Sequence, residues 1–249
     1  MTDAQPPTFQ TLRVELDGAL GRLTLDQPDR LNPIGAVALQ ELAEAARWFD
    51  RTSATVVVVG GAGRAFSAGF DLRELESPTP GAARTPELGA AMAEAVASMR
   101  ALTVAAIQGP CVGGGFVLAL CCDLRVAADD AWCSLPEAAL GIPLAWGGVP
   151  RLVREVGAAR ATELILTVRR APASELLGWG LLNRVVPANQ LQGAVDELVA
   201  PILALRAEVV TTTKRQVGDV VEELASAAGD AAGTHHLVAA LRALRGHEG

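Results

Sequence analysis

Short apolar runs alternate along the chain with longer segments of mixed polarity, and this pattern predicts strands and helices in turn. Val56–Val59 is a run of valines followed by glycines, which is typical of a strand buried on both faces. Val104–Gln108 and Leu124–Ala127 predict two more strands of this kind. Thr11–Asp17 and Arg22–Asp26 flank two glycines and predict an opening hairpin.

Helical spacing of apolar residues predicts the segments between these strands and dominates after Gly147. Val37–Trp48 predicts one helix, and Glu87–Leu102 predicts another after the proline-rich loop Ser77–Pro86. Strands that alternate with helices imply an α/β protein with right-handed parallel crossovers. The helices predicted for the C-terminal part are Val149–Val156, Ala159–Val168, Ser174–Trp179, Ala188–Leu205, Glu208–Ala228 and Gly233–Leu244.

Composition indicates a folded protein with a large core. Of the 249 residues, 50% are hydrophobic and 20% are charged, and the mean hydropathy is +0.29. The net charge of −7 argues against a nucleic-acid surface and against binding to an anionic membrane. No apolar stretch is long enough to span a bilayer, and the first residues do not form a secretory signal. We therefore expect a cytoplasmic protein without nucleic-acid or membrane partners.

The cysteines and histidines do not predict a metal site. Cys111, Cys121, Cys122 and Cys133 lie in apolar surroundings without Cys-x-x-Cys spacing, which favours small buried hydrophobic residues over ligands or nucleophiles. The three histidines all lie in Ala227–Gly249, away from the cysteines. We expect no bound metal.

Two turns rich in glycine and alanine follow predicted strands. The first is Ala65–Leu72, and the second is Gly109–Gly115, with three successive glycines at its end. Small residues allow a ligand to approach backbone N–H groups, and two converging donors form an oxyanion hole. Glu137, in the string Ser-Leu-Pro-Glu, is the best candidate to move protons beside it.

These strings together resemble the enoyl-CoA hydratase/isomerase (crotonase) superfamily. The resemblance implies a crotonase-like spiral of ββα units, with two nearly perpendicular sheets, over residues 1–190. It implies a C-terminal helical trimerisation region over 191–249, and hence a homotrimer or a dimer of trimers. The strings that carry the resemblance, besides the two turns, are Pro28–Pro33, Cys122–Ala127, Leu140–Pro143, Gly147–Leu152 and Gly180–Val186.

The resemblance also assigns roles at the two turns and in the early loop Pro28–Pro33, which is similar to the coenzyme A loop of the family. The peptide N–H groups of Ala68 and Gly114 are the expected oxyanion donors, and the substrate is an acyl-CoA thioester, which brings its own coenzyme A, so no further cofactor is expected. Arg30 could pair with a coenzyme A phosphate or could simply be solvated. Asp71 is a better helix cap than catalyst. The expected substrate-binding residues are Arg30, Ala68, Gly69, Phe70, Asp71, Gly114 and Trp146.

The two acid/base positions of the family decide which reaction to expect. Hydratases of the family carry a glutamate at the position of Val117 and another at that of Glu137, and valine cannot orient water or transfer a proton. The expected reaction is therefore double-bond isomerisation of an enoyl-CoA by one glutamate. Hydration with a non-standard second group and acyl-CoA binding without catalysis remain alternatives. Trp146 could fill the space of the missing carboxylate or simply pack in the core.

Two other classes of enzyme fit the chain less well. Gly61–Phe66 follows a strand, but phenylalanine stands where a dinucleotide-binding fingerprint needs glycine or alanine. The chain contains no Gly-x-Ser-x-Gly string, which a serine hydrolase of the α/β-hydrolase type would carry. Ala227–Gly249 departs from the family, since it lacks the usual aromatic residue and basic tail, which weakens the case for contacts between this segment and coenzyme A.

Overall fold

The computed structural model describes residues 5–76 and 84–226 of the chain. Its strands in chain order are β1 (Leu12–Asp17), β2 (Leu20–Leu25), β3 (Pro33–Ile34), β4 (Val56–Gly61), β5 (Gly69–Phe70), β6 (Leu102–Ile107), β7 (Pro110–Val112), β8 (Leu124–Ala128), β9 (Trp132–Ser134), β10 (Ala171–Pro172) and β11 (Arg184–Val186). Its helices are α1 (Ala36–Phe49), α2 (Arg73–Glu76), α3 (Thr85–Ala97), α4 (Gly114–Leu120), α5 (Gly148–Val156), α6 (Ala158–Thr167), α7 (Ala173–Gly178), α8 (Leu191–Leu203) and α9 (Ala207–Ser226).

The main sheet has six strands in the order β1-β2-β4-β6-β8-β11. The opening hairpin β1–β2 is antiparallel, as the sequence predicts, and the remaining pairs are parallel. The valines of β4 are almost completely buried because helices cover the sheet, and Phe49 and Phe66 are among the largest fully buried side chains. A continuous apolar run is what a parallel strand with two covered faces requires.

The chain repeats a ββα unit, as the resemblance implies. In each unit the first strand joins the main sheet and the second pairs outside it, so β3 pairs with β5 and β7 pairs with β9. A bridge between Ser67 and Cys111 brings the segment before β5 beside β7. The second strands therefore form a separate layer, and the loops that follow them lie next to one another.

The boundary between α3 and β6 differs from the prediction. Glu87–Leu102 was expected to be one helix, but α3 ends at Ala97 and Leu102 begins β6. The backbone of this connection is held by tertiary contacts: Arg100 N donates to Oδ1 of Asp50 at 2.7 Å, and Leu102 N donates to the Thr55 carbonyl at 2.9 Å. Pairing with β4 overrides the local helical pattern.

The C-terminal helices pack against the sheet through α8 and α9. Nζ of Lys214 in α9 lies 2.8 Å from Oδ2 of Asp123 and donates to the Ala101 carbonyl at 3.0 Å, so a partly buried ion pair fixes α9 to the start of β6. The predicted helix Gly233–Leu244 and the atypical segment Ala227–Gly249 lie outside the described residues. The division of the chain at residue 190 stays a prediction. No helix in the described part has the length and apolar character needed to cross a membrane.

Candidate active site

The two glycine- and alanine-rich turns lie side by side, as expected. Ser67 N donates to the Pro110 carbonyl at 3.1 Å, and Val112 N donates to the Ser67 carbonyl at 3.0 Å. Gly69 has a φ of +86°, and a Cβ at this position would lie 2.6 Å from the Val112 carbonyl oxygen. Glycine is required here because the two backbones approach so closely. The first turn thus presents β5 to the N-terminal end of α4.

Gly114 is the first residue of α4, and its backbone N–H has no acceptor within the helix. The first hydrogen bond at this end of the helix runs from Val117 N to the Gly113 carbonyl, at 2.9 Å. Amides in the first turn of a helix have no intrahelical acceptor, so the Gly114 N–H points out of the helix end. Gly113, whose φ is +50°, donates instead to the Ser134 carbonyl at 2.9 Å, which brings β9 beside this end.

The structure corrects the expectation for Ala68. Ala68 N donates to the carbonyl oxygen of Leu31 at 2.7 Å, so this N–H is already used and Ala68 is wrong as an oxyanion donor. The acceptor belongs to the early loop, where Leu31 and Asn32 both have a positive φ. The buried amide of Asn32 holds the same loop by donating to the Ala65 carbonyl at 2.9 Å.

Phe70 has an N–H that is not used in pairing with β3. Phe70 pairs with Ile34 in the parallel pair of β5 and β3, and Asp71 N donates to the Ile34 carbonyl at 3.3 Å. In such a pair the residues on either side of Phe70 bond to β3, and Phe70 itself directs its N–H to the opposite edge. α4 packs against β5, and a Cβ on Gly69 would lie 3.5 Å from Cα of Gly113. A signal was present in the sequence, since Phe70 directly follows the glycine of the turn.

Glu137 lies in a short 3-10 helix, Pro136–Leu140, that follows β9. A Cβ on Gly113 would lie 2.7 Å from Oε1 of Glu137, so the carboxylate rests against the backbone next to the Gly114 N–H. Its Oε2 is buried and has no hydrogen-bond partner among the described residues. Burial raises the pKa of Glu137 to about 7, while a backbone hydrogen bond lowers it by less. Such a carboxyl group can both accept and donate a proton near neutral pH.

Apolar side chains surround Val117, which stands at the second acid/base position of the family. Val117 is 1% exposed, one helical turn beyond Gly114, and its Cγ2 lies against Gly148. Leu144 packs at the same place, and Trp146 lies against Gly114. The second acid/base position of the family is therefore filled by hydrocarbon, as the sequence indicates.

Arg30 and Asp71 form an ion pair with 2.6 Å between Nη2 and Oδ2. Oδ1 of Asp71 accepts from Arg73 N at 3.2 Å at the start of α2, which agrees with the capping role that the sequence favours. Arg30 remains about one-third exposed beside the first turn. The guanidinium of Arg30 therefore lies near the turn, with its Nη2 bonded to Asp71.

The described cysteines are buried and free. Burial raises the pKa of Cys121 to about 11 and raises that of Cys111 well above its usual value, so neither is a reactive thiolate. Within residues 5–76 and 84–226, no group of three or more histidine, cysteine or acidic residues could hold a metal ion.

Comparisons with known proteins show the family of the chain. Residues 15–239 match the model of the family described as enoyl-CoA hydratase/isomerase. The chain is 35% identical over 216 residues to the "Probable enoyl-CoA hydratase echA8" of Mycobacterium bovis, covering 86% of this chain and 84% of the relative. It is 36% identical over 220 residues to the carnitinyl-CoA dehydratase of Proteus mirabilis, covering 86% and 82%.

A solved structure provides the corresponding comparison of folds. It is a complex with CoA of a Thermobifida fusca YX protein provisionally described as an enoyl-CoA hydratase. The TM-score is 0.76 at 32% identity, and the match covers 96% of this chain and 93% of that one. The fold expected from the sequence is confirmed.

Proposed function

Because the chain belongs to the enoyl-CoA hydratase/isomerase family, we propose that it moves a carbon–carbon double bond in an enoyl-CoA thioester with a single proton-carrying glutamate. The observation that carries the proposal is the position of Glu137. Its carboxylate lies beside the backbone of Gly113 and has a pKa near 7, whereas the second acid/base position is the buried Val117.

In the proposed reaction, the N–H groups of Gly114 and Phe70 donate to the carbonyl oxygen of a 3-enoyl thioester. Ionised Glu137 removes a proton from C2, and the electron pair delocalises as a dienolate over the carbonyl oxygen, C2 and C4. The protonated carboxyl group then returns the proton to C4, which leaves the 2-enoyl thioester. Stabilisation of the enolate oxygen by each donor contributes about 10²–10³ in rate. No water takes part, so one carboxylate is sufficient.

Hydration of a 2-enoyl thioester is the second candidate function. It is favoured by the relatives, which are named as a hydratase and a dehydratase. It requires a group that holds water opposite Glu137, and the described side chains at that place, Val117, Leu144 and the ring of Trp146, are apolar. Binding of acyl-CoA without catalysis is a weaker candidate, because it is costly to bury a carboxylate oxygen such as Oε2 of Glu137, which has no hydrogen-bond partner among the described residues.

Three measurements on the same preparation distinguish these functions. The rate of 3-enoyl to 2-enoyl conversion and the rate of hydration of the 2-enoyl thioester give the preferred reaction. A titration with a saturated acyl-CoA gives binding alone. We expect isomerisation to be faster than hydration. Faster hydration would establish the second candidate, and binding without either reaction would establish the third.

A further inference from the structure

The backbone at Trp146 holds the indole in an unusual position. Trp146 has a φ of +56° and Gly147 a φ of +68°, and a bulky residue rarely adopts such a conformation. The side chain is only 7% exposed. The surrounding structure must stabilise this strained turn, and strain of this kind is commonly found at ligand sites.

Two glycines make room for the indole ring from opposite sides. A methyl group on Gly89, in the middle of α3, would overlap the edge formed by Nε1, Cδ1 and Cε2 of Trp146. A methyl group on Gly114, at the start of α4, would overlap the opposite edge at Cζ3. The ring thus fills the gap between α3 and α4. Glycine within a helix lowers the stability of the helix. At position 89 a glycine is needed nevertheless, because a larger residue would overlap the ring of Trp146.

The ring edge at Gly114 lies at the reacting end of α4. Side chains of a helix tilt toward its N-terminus, and the free N–H groups of the first turn point the same way. The ring edge that occupies the place of a Gly114 side chain is therefore close to the Gly114 N–H. Glu137 lies against the neighbouring residue, Gly113. A thioester carbonyl on the Gly114 N–H would therefore lie near both the carboxylate and the indole.

We propose that Trp146 is the specificity-determining residue of the acyl pocket and that it restricts the enzyme to short acyl groups, with Gly89 as the residue that positions the ring. This inference rests on the proposed binding of acyl-CoA at Gly114. An acyl chain that leaves the α-carbon toward the gap between α3 and α4 meets the face or edge of the ring after a few carbons. Longer chains require the ring to move, and its burial between α3 and α4 opposes this.

Calorimetric titration with butanoyl-CoA and decanoyl-CoA tests the inference without any turnover. The quantity measured is the ratio of the two dissociation constants, Kd for decanoyl-CoA divided by Kd for butanoyl-CoA. We expect wild type to bind butanoyl-CoA more tightly. Trp146→Ala should lower this ratio by about tenfold or more, since methylenes that no longer clash gain apolar contacts. Trp146→Phe should change the ratio in the same direction and provides a second, less disruptive variant.

Trp48→Phe is the matched control. Trp48 is 4% exposed in α1, and like Trp146 it has a buried Nε1 without a hydrogen-bond partner among the described residues. The control should lower thermal stability and leave the ratio unchanged. Gly89→Ala should weaken butanoyl-CoA binding, and Trp146→Ala in the same chain should restore it.

The outcomes separate this inference from the proposed function. A decrease in the ratio of threefold or more in a folded Trp146 variant, absent in Trp48→Phe, supports the inference. A smaller decrease, an increase in the ratio, or tighter binding of decanoyl-CoA by wild type overturns it while leaving the isomerase proposal intact. If neither thioester binds, both proposals are wrong. If both bind with the expected ratio but no enoyl thioester is isomerised, only the proposed function is wrong.

Discussion

The amide nitrogen of Ala68 donates to the carbonyl oxygen of Leu31 across 2.7 Å, and this bond fixes the early loop to the first glycine- and alanine-rich turn. The loop therefore has a structural role at the site, besides any contact with a substrate. The bond also withdraws the Ala68 N–H from catalysis and leaves the Phe70 N–H, on the edge of β5 away from β3, as the donor that faces α4.

Replacement of Phe70 by phenyllactic acid removes this N–H and retains the side chain. We expect kcat for isomerisation to fall by about 10²–10³, because one of two oxyanion donors is lost. The matched control is lactic acid in place of Ala68, which removes the bond to Leu31. It should lower the free energy of unfolding by about 1 kcal/mol and change kcat little. Equal kinetic losses at the two positions would show that the assignment of Phe70 is wrong.

Glu137→Gln keeps the size of the side chain and removes the acid/base group. We expect kcat to fall by about 10²–10⁴, with Kd for a saturated acyl-CoA within a few-fold of the wild-type value. Glu155→Gln serves as a control for stability. It alters another partly buried glutamate, which lies in α5 and pairs with Arg125 in β8. Unchanged turnover in Glu137→Gln would exclude the single-glutamate mechanism.

The raised pKa of Glu137 predicts a specific dependence of stability on pH. Burial raises the pKa of this carboxyl group from 4.5 to about 7, so the folded protein binds the proton more tightly than the unfolded chain does. The resulting stabilisation is complete below pH 4.5 and is lost as the pH rises through about 7. The Tm of Glu137→Gln should therefore exceed that of wild type by a margin that increases between pH 5 and pH 7 and levels off at higher pH. A constant margin would contradict the raised pKa.

The same pKa predicts the pH dependence of catalysis. The base must be ionised in the free enzyme, so kcat/KM for isomerisation should rise with pH through about 7 and then level off. Measurements with saturating and limiting substrate between pH 5 and pH 9 give the profile. A midpoint near pH 4.5 would indicate that Glu137 is solvated in the working enzyme.

Substitution of Arg30 tests whether the early loop contacts the coenzyme A phosphates. Arg30→Ala removes the guanidinium that pairs with Asp71, and we expect KM for an enoyl-CoA to rise about tenfold through the loss of a charge-assisted contact. KM for the corresponding pantetheine thioester, which lacks the nucleotide phosphates, should change less than twofold. Asp71→Asn disturbs the same ion pair and controls for the loss of local structure. Equal effects on both substrates would leave Arg30 with a structural role only.

The expectation of a trimer or a dimer of trimers is tested by light scattering. Val209, Val217 and Val220 on α9 are large exposed apolar side chains in this chain, which is typical of a helix that packs on another subunit. A mass of three or six chains at micromolar concentration is the expected result. Val217→Glu together with Val220→Glu should dissociate the assembly, whereas Leu166→Glu provides a control at another exposed apolar position. A monomeric wild type would contradict the expectation.

The sequence by itself determined the long elements and identified the candidate residues of the site. The hairpin, the buried strands β4, β6 and β8, and the helix α1 follow from runs of apolar residues whose period matches the backbone geometry. Glu137 and the glycine turns were identified because their residue types and order carry the chemistry. Val117 likewise indicated that a second carboxylate is missing.

Only the tertiary structure decided which backbone donors are free and what surrounds them. The strands β3 and β5 are two residues long and leave no periodic signal, yet their register determines that Phe70 and not Ala68 presents an N–H to α4. Gly89 lies within a predicted helix, and its contact with Trp146 arises from packing between segments distant in the chain. The raised pKa of Glu137 is decided in the same way, because burial depends on every segment that covers the carboxylate and not on its neighbours in the sequence.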